Sequence, residues 1–497
     1  MRTATVAFLL ALAVAAVLTP LVRALAWRLE LLDHALTSRK VHGRPVPRLG
    51  GVAIVTAFFA PILGLIFTDS AVGELFYSDG QRAFGLIAGG SAIALLGVYD
   101  DLRGSGARTK FAVQFAVALA MYGLGFRVEQ IASPFGAHVS LGWMSLPFTL
   151  IWIVGVVNAM NLIDGLDGLA GGVAFLAVAS TFLVALERGQ PLMILFTAAL
   201  AGAVLGFLFY NFNQASIFMG DTGSMFLGFV LAASAIQTNQ KGSTAVAMLV
   251  PIVALGLPIG DTLLSITRRA VRGQPIFHSD RGHFHHRLMA LGFSHRQTVL
   301  VLYGLCALLG ATAVVLTRAT AAETLLVLLG VGLVAFTLLA WVGYLKLGLA
   351  RQLFVDRRRN LEMRAAVREV GEAMRRAVSV DEIWEGVKRA GAALGTSCVA
   401  LTVVERRGDE SATTARSMGF DEAGPELFRA RYSLLGERPD EGAIELGWTD
   451  GTTGLDRDTE IGVELLCEHV VTALQRLDPG RAGHGGGGKG QVLPLRR

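Results

Sequence analysis

Long uncharged stretches dominate the first 350 residues of the chain and are rare after them. Eleven such stretches reach or approach the roughly 17–25 residues that a helix needs to cross a bilayer. They cover residues 4–22, 49–68, 83–99, 111–126, 141–163, 168–186, 191–211, 222–240, 242–260, 297–317 and 324–345. The pattern predicts an all-α polytopic membrane protein with about 11 transmembrane helices within residues 1–350.

Two of these stretches need comment. The run at 111–126 is short, but Lys110 and Arg127 at its ends can extend their charged groups to the membrane surface. The run at 4–22, which follows Arg2, could instead form a cleaved signal peptide. Its length and the basic segment after it favour a membrane span.

The last 147 residues have a different pattern, which predicts a small water-soluble α/β domain over residues 351–478. Ser379 and Glu382 form a capping-box pattern at the start of a helix. The expected elements are helices near 361–377, 380–394 and 458–477 and strands at 397–404 and 443–448. This α–β–β–α order resembles a GAF-like sensory domain, and an oligomerising or scaffolding module is the alternative. Residues 479–497, with four consecutive glycines, predict a disordered tail.

Composition supports this division. The chain is 53% hydrophobic and 17% charged, against about 25% charged residues in typical soluble domains, which excludes a disordered chain, a coiled coil and an ordinary cytosolic enzyme. Residues 1–350 hold 22 basic and 15 acidic side chains, and residues 351–497 hold 22 and 24. The net charge of +5 gives no argument for a nucleic-acid partner. The three cysteines are too far apart to indicate a disulfide framework or a zinc site.

The distribution of basic residues predicts the orientation of the chain in the membrane. Segments 28–48, 100–110 and 267–297 carry 14 Lys and Arg residues together, whereas the loops at the other face carry six. Because cytoplasmic loops are enriched in Lys and Arg, we expect the N-terminus outside and the C-terminal domain in the cytoplasm.

On this topology the polar side chains of the membrane region collect at the cytoplasmic face. They are Asp100, Asp101, Asn158, Asn161, Asp164, Asp167, Asn211, Asn213, Asp221, Asp261, Arg268, Arg269, His283, His285 and His286. Ionisable groups at membrane depth are costly and usually functional. Five of these acids would repel one another unless a cation neutralised them, namely Asp100, Asp101, Asp164, Asp167 and Asp221. Oxygen ligands without cysteine suit Mg²⁺ or Mn²⁺. Acids, a metal ion and a cationic rim are typical of a phosphoryl-transfer site.

Each cluster also has a purely structural interpretation. Asp100 and Asp101 could terminate a helix in a polar loop, and Asp164 and Asp167 could cap the next helix. The segment HFHH (283–286) could bind a transition metal, although anion binding fits it better. At the level of the whole chain, the alternatives to an enzyme are a membrane transporter and a membrane-anchored sensor. A transporter would place its acids near the bilayer midplane, and a sensor would leave the polar clusters unexplained.

Five motifs resemble those of the polyprenyl-phosphate N-acetylhexosamine-1-phosphate transferases, over roughly residues 1–345. They are RKVHGRPVPRLGG (39–51), GVYDDLRGSGARTK (97–110), NAMNLIDGLDGLAGG (158–172), NFNQASIFMGDTGS (211–224) and SDRGHFHHRLMALGFSHRQ (279–297). The form HFHHRL resembles the branch that initiates O-antigen, enterobacterial common antigen and teichoic acid synthesis.

The resemblance implies a reaction. N-acetylglucosamine-1-phosphate would pass from UDP-N-acetylglucosamine to undecaprenyl phosphate, releasing UMP and leaving undecaprenyl-diphosphate-N-acetylglucosamine in the membrane. The same chemistry with another UDP-N-acetylhexosamine, including the phospho-N-acetylmuramoyl-pentapeptide donor, is the alternative. A bacterial inner-membrane location follows from the family. A homodimer, and a ligand or partner for the C-terminal domain, are left open.

The resemblance also implies roles for individual residues. Asp100, Asp101 and Lys110 match the catalytic positions of the family, and Asp221 with Asn161 matches its Mg²⁺ site. The nucleotide-sugar pocket would be lined by Asn158, Asp164, Asp167, Arg281, His283, His285 and His286. Further phosphate contacts would come from Lys40, His42, Arg44 and Arg48.

Overall fold

A computed structural model of the full chain describes residues 2–33, 45–66, 79–132, 138–240, 249–272, 283–343, 349–407, 410–420, 428–434, 442–449, 455, 457–477 and 492–493. The chain divides into two compact units. The first unit contains residues 1–35, 41–267 and 277–346, and the second contains residues 36–40, 268–276 and 347–497.

Helices form almost all of the first unit. They are α1 (Arg2–Arg28), α2 (Gly50–Ile66), α3 (Gly80–Arg103), α4 (Ala107–Gly123), α5 (Ser145–Ile163), α6 (Leu169–Glu187), α7 (Pro191–Asn211), α8 (Gly220–Gln240), α9 (Leu249–Ala254), α10 (Gly256–Arg272, as far as Thr267), α11 (Phe284–Ala290), α12 (His295–Leu316) and α13 (Ala321–Trp341). Two short antiparallel ladders join β1 (Leu32–Asp33) to β2 (Val46–Pro47) and β3 (Gln130–Ala132) to β4 (His138–Ser140).

Seven of the described helices are long and apolar enough to cross a membrane. They are α1, α3, α5 with the 3₁₀ turn before it, α6, α7, α12 and α13. This confirms a mostly helical, polytopic membrane protein. The remaining four of the eleven predicted spans coincide with helices that are shorter or less apolar, so the count of eleven stays a prediction.

The predicted span at 242–260 is not one continuous helix in the described part of the chain. Helix α9 ends at Ala254, and α10 begins at Gly256 and runs on to Arg272. Pro258 in the first turn of α10 has no N–H to continue the hydrogen-bond ladder of α9. The apolar run therefore contains a break that its hydropathy alone does not show.

Helix α8 lies at the centre of the first unit. It packs against α2, α3, α5 and α6, and every residue from 222 to 238 is buried. The buried location matters for function, because the N-terminus of α8 carries Asp221.

The second unit combines helices with one antiparallel sheet. Its helices are α14 (Leu349–Met374), α15 (Val380–Ala393) and α16 (Arg457–Leu477). Strands β5 (Cys398–Arg407), β6 (Glu410–Met418), β7 (Phe428–Ser433), β8 (Gly442–Trp448) and β9 (Val492–Leu493) pair in the order β6-β5-β8-β7-β9. Alternate residues of β5, β7 and β8 form a core with the helices.

The sequence pattern predicted helices that overlap all three observed helices, although α14 begins at Leu349 and not near residue 361. It predicted strands β5 and β8 but not β6, β7 and β9. Strand β6 (ESATTARSM) is an edge strand with little apolar alternation, so its sequence carries no strong strand signal. Most of the segment that we predict as a disordered tail lies outside the described residues.

Candidate active site

Two glycines allow helices to approach one another closely at the N-terminus of α8. A Cβ atom on Gly97 of α3 would lie 2.3 Å from the Cα of Thr222, and one on Gly51 of α2 would lie 2.1 Å from the backbone nitrogen of Gly223. No side chain fits at such distances. The motif glycines therefore bring the C-terminal end of α3 to the first turn of α8.

Asp101, at the end of α3, caps the N-terminus of α8. Its Oδ1 accepts a hydrogen bond from the backbone N–H of Asp221 (2.9 Å), and its Oδ2 accepts bonds from the backbone N–H (3.0 Å) and the hydroxyl (2.6 Å) of Thr222. A helix N-terminus leaves N–H groups without partners and favours negative charge. The Asp101 carboxylate satisfies two of these N–H groups, although it lies 120 positions away in sequence.

Lys110 joins two of the predicted site acids. Its Nζ donates a hydrogen bond to Oδ2 of Asp100 at 2.7 Å and another to Oδ2 of Asp221. The other oxygen of Asp100 accepts bonds from the backbone N–H (2.7 Å) and the hydroxyl (2.5 Å) of Ser105. We call Asp100, Lys110 and Asp221 the acid–lysine cluster. Its members come from three helices and two distant motifs.

The asparagines of α5 extend this polar region. Asn161 donates to the hydroxyl of Ser224 at 2.9 Å, one turn after Asp221 on α8. Asn158 donates to Oε1 of Gln114 on α4 at 2.6 Å, which ties α5 to α4. Asn161 is thus placed beside the helix that carries Asp221, whereas the Asn158 amide is engaged in a contact between helices.

The loop from Asp164 to Gly168 connects α5 to α6. Asp167 accepts a hydrogen bond from the backbone N–H of Ala215 at 2.9 Å. The Asp164 carboxylate has no hydrogen-bond partner in the part of the chain that the structure describes. Although part of the residue meets solvent, protein atoms surround its carboxyl, and that burial, with the charges of Asp221, Asp101 and Asp167, raises the pKa of Asp164 to about 7.

The raised pKa of Asp164 predicts a stability difference that depends on pH. In the unfolded chain the Asp164 side chain has a pKa of about 3.9. Between about pH 4 and pH 7 the folded protein therefore keeps a proton on Asp164 that the unfolded chain has released. The free energy of unfolding falls as the pH rises through this window. Asp164→Asn should therefore raise the unfolding temperature in EDTA at about pH 8, but hardly at about pH 4.5. Thermal unfolding in detergent measures this.

Asp79→Asn provides a control, because Asp79 contacts Arg82 near the start of α3, away from these acids. It should give no such pH-dependent gain. An equal gain for Asp164→Asn at both pH values would contradict the explanation.

The histidine motif is held by Asp261 of α10. Its Oδ2 lies 2.8 Å from Nδ1 of His283, and its Oδ1 accepts a bond of 2.9 Å from the backbone N–H of Phe284. A proton on Nδ1, facing the carboxylate, leaves Nε2 of His283 for a ligand. The sequence marked Asp261 only as one polar residue among many. Its signal is an acid directly after an apolar run, 22 residues before the histidine with which it pairs.

The middle histidine of the motif contacts the acidic loop. A Cβ atom on Gly165 would lie 2.8 Å from Nε2 of His285. His285 is buried, and that burial together with the neighbouring His286 lowers the pKa of His285 to about 3. His285 is therefore neutral at physiological pH and packs against the loop. The rings of His283 and His285 are parallel, with centroids 5.8 Å apart.

Arg48 lies on a segment whose backbone hydrogen-bonds to Phe218 and Met219, just before α8. The neighbouring Gly50 and Gly51 donate backbone hydrogen bonds to Phe218 (2.9 Å) and Met219 (2.7 Å), and Pro47 accepts one from Phe218. Arg48 itself is exposed. The other predicted phosphate contacts, Lys40, His42 and Arg44, lie outside the described residues, as does Arg281.

The atoms of the site that could coordinate a metal ion suit a hard divalent cation. They are carboxylate and amide oxygens, and the Asp164 carboxylate and the Oδ1 of Asn161 have no hydrogen-bond donor within the described residues. No group of three or more His, Cys, Asp or Glu side chains among those residues converges on one point. Mg²⁺ is typically bound through one or two protein carboxylates together with substrate phosphates and water, so Asp221, Asp164 and Asn161 are described residues that could hold it.

The region that contains these residues is similar in sequence to known proteins. Residues 83–239, which include the acid–lysine cluster and the acidic loop, match the sequence profile of glycosyl transferase family 4. The chain is 38% identical over 317 residues to the probable undecaprenyl-phosphate N-acetylglucosaminyl 1-phosphate transferase of Bacillus subtilis, covering 63% of this chain and 85% of that protein.

Two further relatives are more distant. The decaprenyl-phosphate N-acetylglucosaminephosphotransferase of Mycobacterium tuberculosis is 36% identical over 308 residues, covering 57% of this chain and 74% of that protein. The phospho-N-acetylmuramoyl-pentapeptide-transferase of Listeria monocytogenes is 30% identical over 271 residues, covering 52% and 80%. With these similarities and the site geometry together, the chain belongs to glycosyl transferase family 4, in the group of polyprenyl-phosphate N-acetylhexosamine-1-phosphate transferases.

Proposed function

We propose that the protein transfers N-acetylglucosamine-1-phosphate from UDP-N-acetylglucosamine to undecaprenyl phosphate. The observation that carries this proposal is the acid–lysine cluster at the N-terminus of α8, where the fold brings two distant motifs together from three helices. The product would be undecaprenyl-diphosphate-N-acetylglucosamine, the first membrane intermediate of a cell-surface polysaccharide.

The reaction exchanges one phosphoanhydride bond for another. An oxygen of the lipid phosphate forms a bond to the β-phosphorus of the nucleotide sugar, and the bond from that phosphorus to the bridging oxygen breaks. UMP leaves with the electron pair. Because a phosphomonoester has a second pKa of about 6, the lipid phosphate is already largely dianionic near neutral pH. Direct attack therefore needs no strong general base.

Within this reaction Asp100 and Lys110 would present the lipid phosphate. Ser105 and Lys110 fix both oxygens of the Asp100 carboxylate, so its orientation is set before substrate binds. The Lys110 ammonium can shift from the carboxylates to a phosphate oxygen. Pre-organised charges of this kind lower the barrier because they need no rearrangement during the reaction.

We assign Asp101 a positioning role rather than a chemical one. All three of its hydrogen bonds go to Asp221 and Thr222, which uses both carboxylate oxygens. It would hold the first turn of α8, and with it Asp221, against the end of α3. The two members of the Asp100–Asp101 pair thus act differently.

The acidic loop and the histidine motif would form the nucleotide-sugar pocket. His283, oriented by Asp261, would offer Nε2 to a phosphate, and His286, whose ring centroid lies 4.3 Å from that of His285, would contribute a second imidazole. His285 supports the loop through Gly165. Asp164 and Asp167 lie on that loop and would contact the nucleotide, whereas Asn158 supports α5 through Gln114. Arg281 is proposed from its motif alone.

Asp221 and Asn161 would hold Mg²⁺, or Mn²⁺ in its place. The bound ion would neutralise charge on the diphosphate, which is its usual contribution to phosphoryl transfer. The uncompensated carboxylate of Asp164 supports a cation in this region, since like charges at short range are costly without one.

The N-acetylglucosamine donor is favoured by two observations. The relatives whose names specify N-acetylglucosamine are 38% and 36% identical to this chain, against 30% for the pentapeptide transferase. Phe284, which is buried, also stands between His283 and His285, whereas the branch that transfers phospho-N-acetylmuramoyl-pentapeptide typically has three successive histidines at this point of the motif. The phospho-N-acetylmuramoyl-pentapeptide donor is the second candidate.

For the whole chain we propose eleven spans in a bacterial inner membrane, with the N-terminus outside and the active site in the cytoplasm. The excess of Lys and Arg in the loops after the first, third and ninth spans supports this orientation. The second unit would be a cytoplasmic GAF-like domain, because its central antiparallel sheet packs against helices.

The proposal is tested with purified protein, Mg²⁺, undecaprenyl phosphate and a panel of UDP-sugars. UMP should form with UDP-N-acetylglucosamine and only when the lipid phosphate is present. If the phospho-N-acetylmuramoyl-pentapeptide donor were the only member of the panel to release UMP, the second candidate would be supported. No UMP formation with any member of the panel would contradict the proposed reaction.

A further inference from the structure

Tyr303 lies outside every motif described above, yet its hydroxyl reaches the acidic loop. It is a residue of α12, 135 positions after Gly168, and it donates a hydrogen bond of 2.5 Å to the Gly168 carbonyl. Gly168 is the last residue of the loop that carries Asp164 and Asp167. A residue from a distant helix therefore holds the end of a loop that we place in the nucleotide pocket.

The position of the Tyr303 ring depends on a second glycine. A Cβ atom on Gly172 would lie 1.9 Å from Cζ of Tyr303, so only glycine leaves room for the ring at that point of α6. On its other side the ring packs against Phe212, with the centroids 6.2 Å apart. The ring is thus confined between α6 and the segment after α7, and its hydroxyl has a defined direction.

Gly168 is fixed from both sides of its backbone. It has φ +76°, a left-handed conformation that favours glycine. Its N–H donates to Oδ1 of the buried Asn211 at 3.0 Å, and its carbonyl accepts from Tyr303 and from the N–H of Gly172 (2.9 Å). At the other end of the loop, Gly165 abuts His285. Asp167 lies between these two contacts, and Asp164 directly precedes Gly165.

We propose that Tyr303 is a positioning residue for nucleotide-sugar binding. Its hydroxyl holds the loop so that the carboxylates of Asp164 and Asp167 are in place before the donor binds. The inference rests on the proposed function, since it assigns this loop to the donor. Tyr303 does not contact the acid–lysine cluster, so binding of the lipid phosphate should be unaffected.

Tyr303→Phe tests the proposal, because it removes the hydroxyl and keeps the ring between Gly172 and Phe212. The Gly168 carbonyl keeps its helical hydrogen bond, so the fold should survive. We expect the KM for UDP-N-acetylglucosamine to rise about three- to tenfold, with an unchanged KM for undecaprenyl phosphate. Thr312→Val, which removes a hydroxyl bonded to Leu308 on the same helix, should change neither KM.

A double variant separates a positioning role of Tyr303 from an effect on general stability. In an Asp164→Asn background, Tyr303→Phe should add little to the KM for the donor, since it acts through that loop. Additive effects, or an equal rise in both KM values, would overturn the proposal.

Hydrogen–deuterium exchange needs no turnover and so distinguishes a failure of this inference from a failure of the proposed reaction. Amides of residues 164–172 should exchange faster in Tyr303→Phe than in wild type or in Thr312→Val. Unchanged exchange in this segment would overturn the positioning role, whatever the substrate of the enzyme proves to be.

Discussion

Asp221→Ala is expected to abolish sugar-phosphate transfer, with kcat reduced by at least about 10³-fold, as for the loss of a central electrostatic group. The carboxylate of Asp221, at the start of α8, forms an ion pair with Lys110 and is the proposed ligand of the divalent cation. Without it, the cation loses its principal protein ligand, and the Lys110 ammonium retains only Asp100. Turnover measured against Mg²⁺ concentration should show no recovery at high Mg²⁺.

Asp221→Asn separates charge from shape. The amide preserves the size of the side chain and can still accept a hydrogen bond, but it carries no negative charge. We expect it to be nearly as inactive as the alanine variant. Asp79→Ala, at the opposite end of α3 and paired with Arg82, should retain activity. Substantial turnover in Asp221→Asn, with an undiminished response to Mg²⁺, would contradict the proposed metal site.

Asp101→Asn is expected to reduce both activity and stability. Three donors converge on the two carboxylate oxygens of Asp101. An asparagine side chain has one oxygen and an NH₂ group, so at least one donor would face another donor. Leaving a buried donor without an acceptor costs about 1–3 kcal/mol, and the first turn of α8 would shift, moving Asp221. We expect a lower unfolding temperature together with a large fall in kcat.

Asp100→Asn is the matched comparison, because it changes the neighbouring acid, which bonds to Ser105 and Lys110 instead of the helix terminus. It should reduce activity with a smaller loss of stability. Thermal unfolding and initial rates of all three proteins give the test. If Asp101→Asn lost activity but unfolded at the wild-type temperature, Asp101 would have a chemical role and our assignment would be wrong.

The sequence predicted much of the membrane unit, because the cost of burying charge in lipid is visible in one dimension. Uncharged runs located the helices, and the grouping of polar clusters at one face anticipated that Asp100, Lys110 and Asp221 would meet. The break between α9 and α10 was not predicted, since Pro258 removes a backbone hydrogen-bond donor without ending the apolar run.

Individual roles within the site were harder to predict, because they depend on contacts between distant parts of the chain. Asp100 and Asp101 are adjacent and chemically identical, and only the fold shows that Asp101 caps a helix that begins 119 positions later. Asp261 and Tyr303 act through partners 22 and 135 positions away. Glycine is required at positions 51, 97 and 172 because atoms of distant residues occupy the space where a Cβ atom would lie.

The most direct test follows the β-phosphate of the donor. Purified full-length protein is incubated with Mg²⁺, undecaprenyl phosphate and UDP-N-acetylglucosamine labelled with ³²P at the β-phosphorus, and the lipid fraction is extracted. The account predicts that the label enters the lipid together with the sugar, while unlabelled UMP is released. Sugar transfer to lipid with all of the label left in UDP would mean that the sugar–phosphate bond is cleaved instead, and would contradict the central claim.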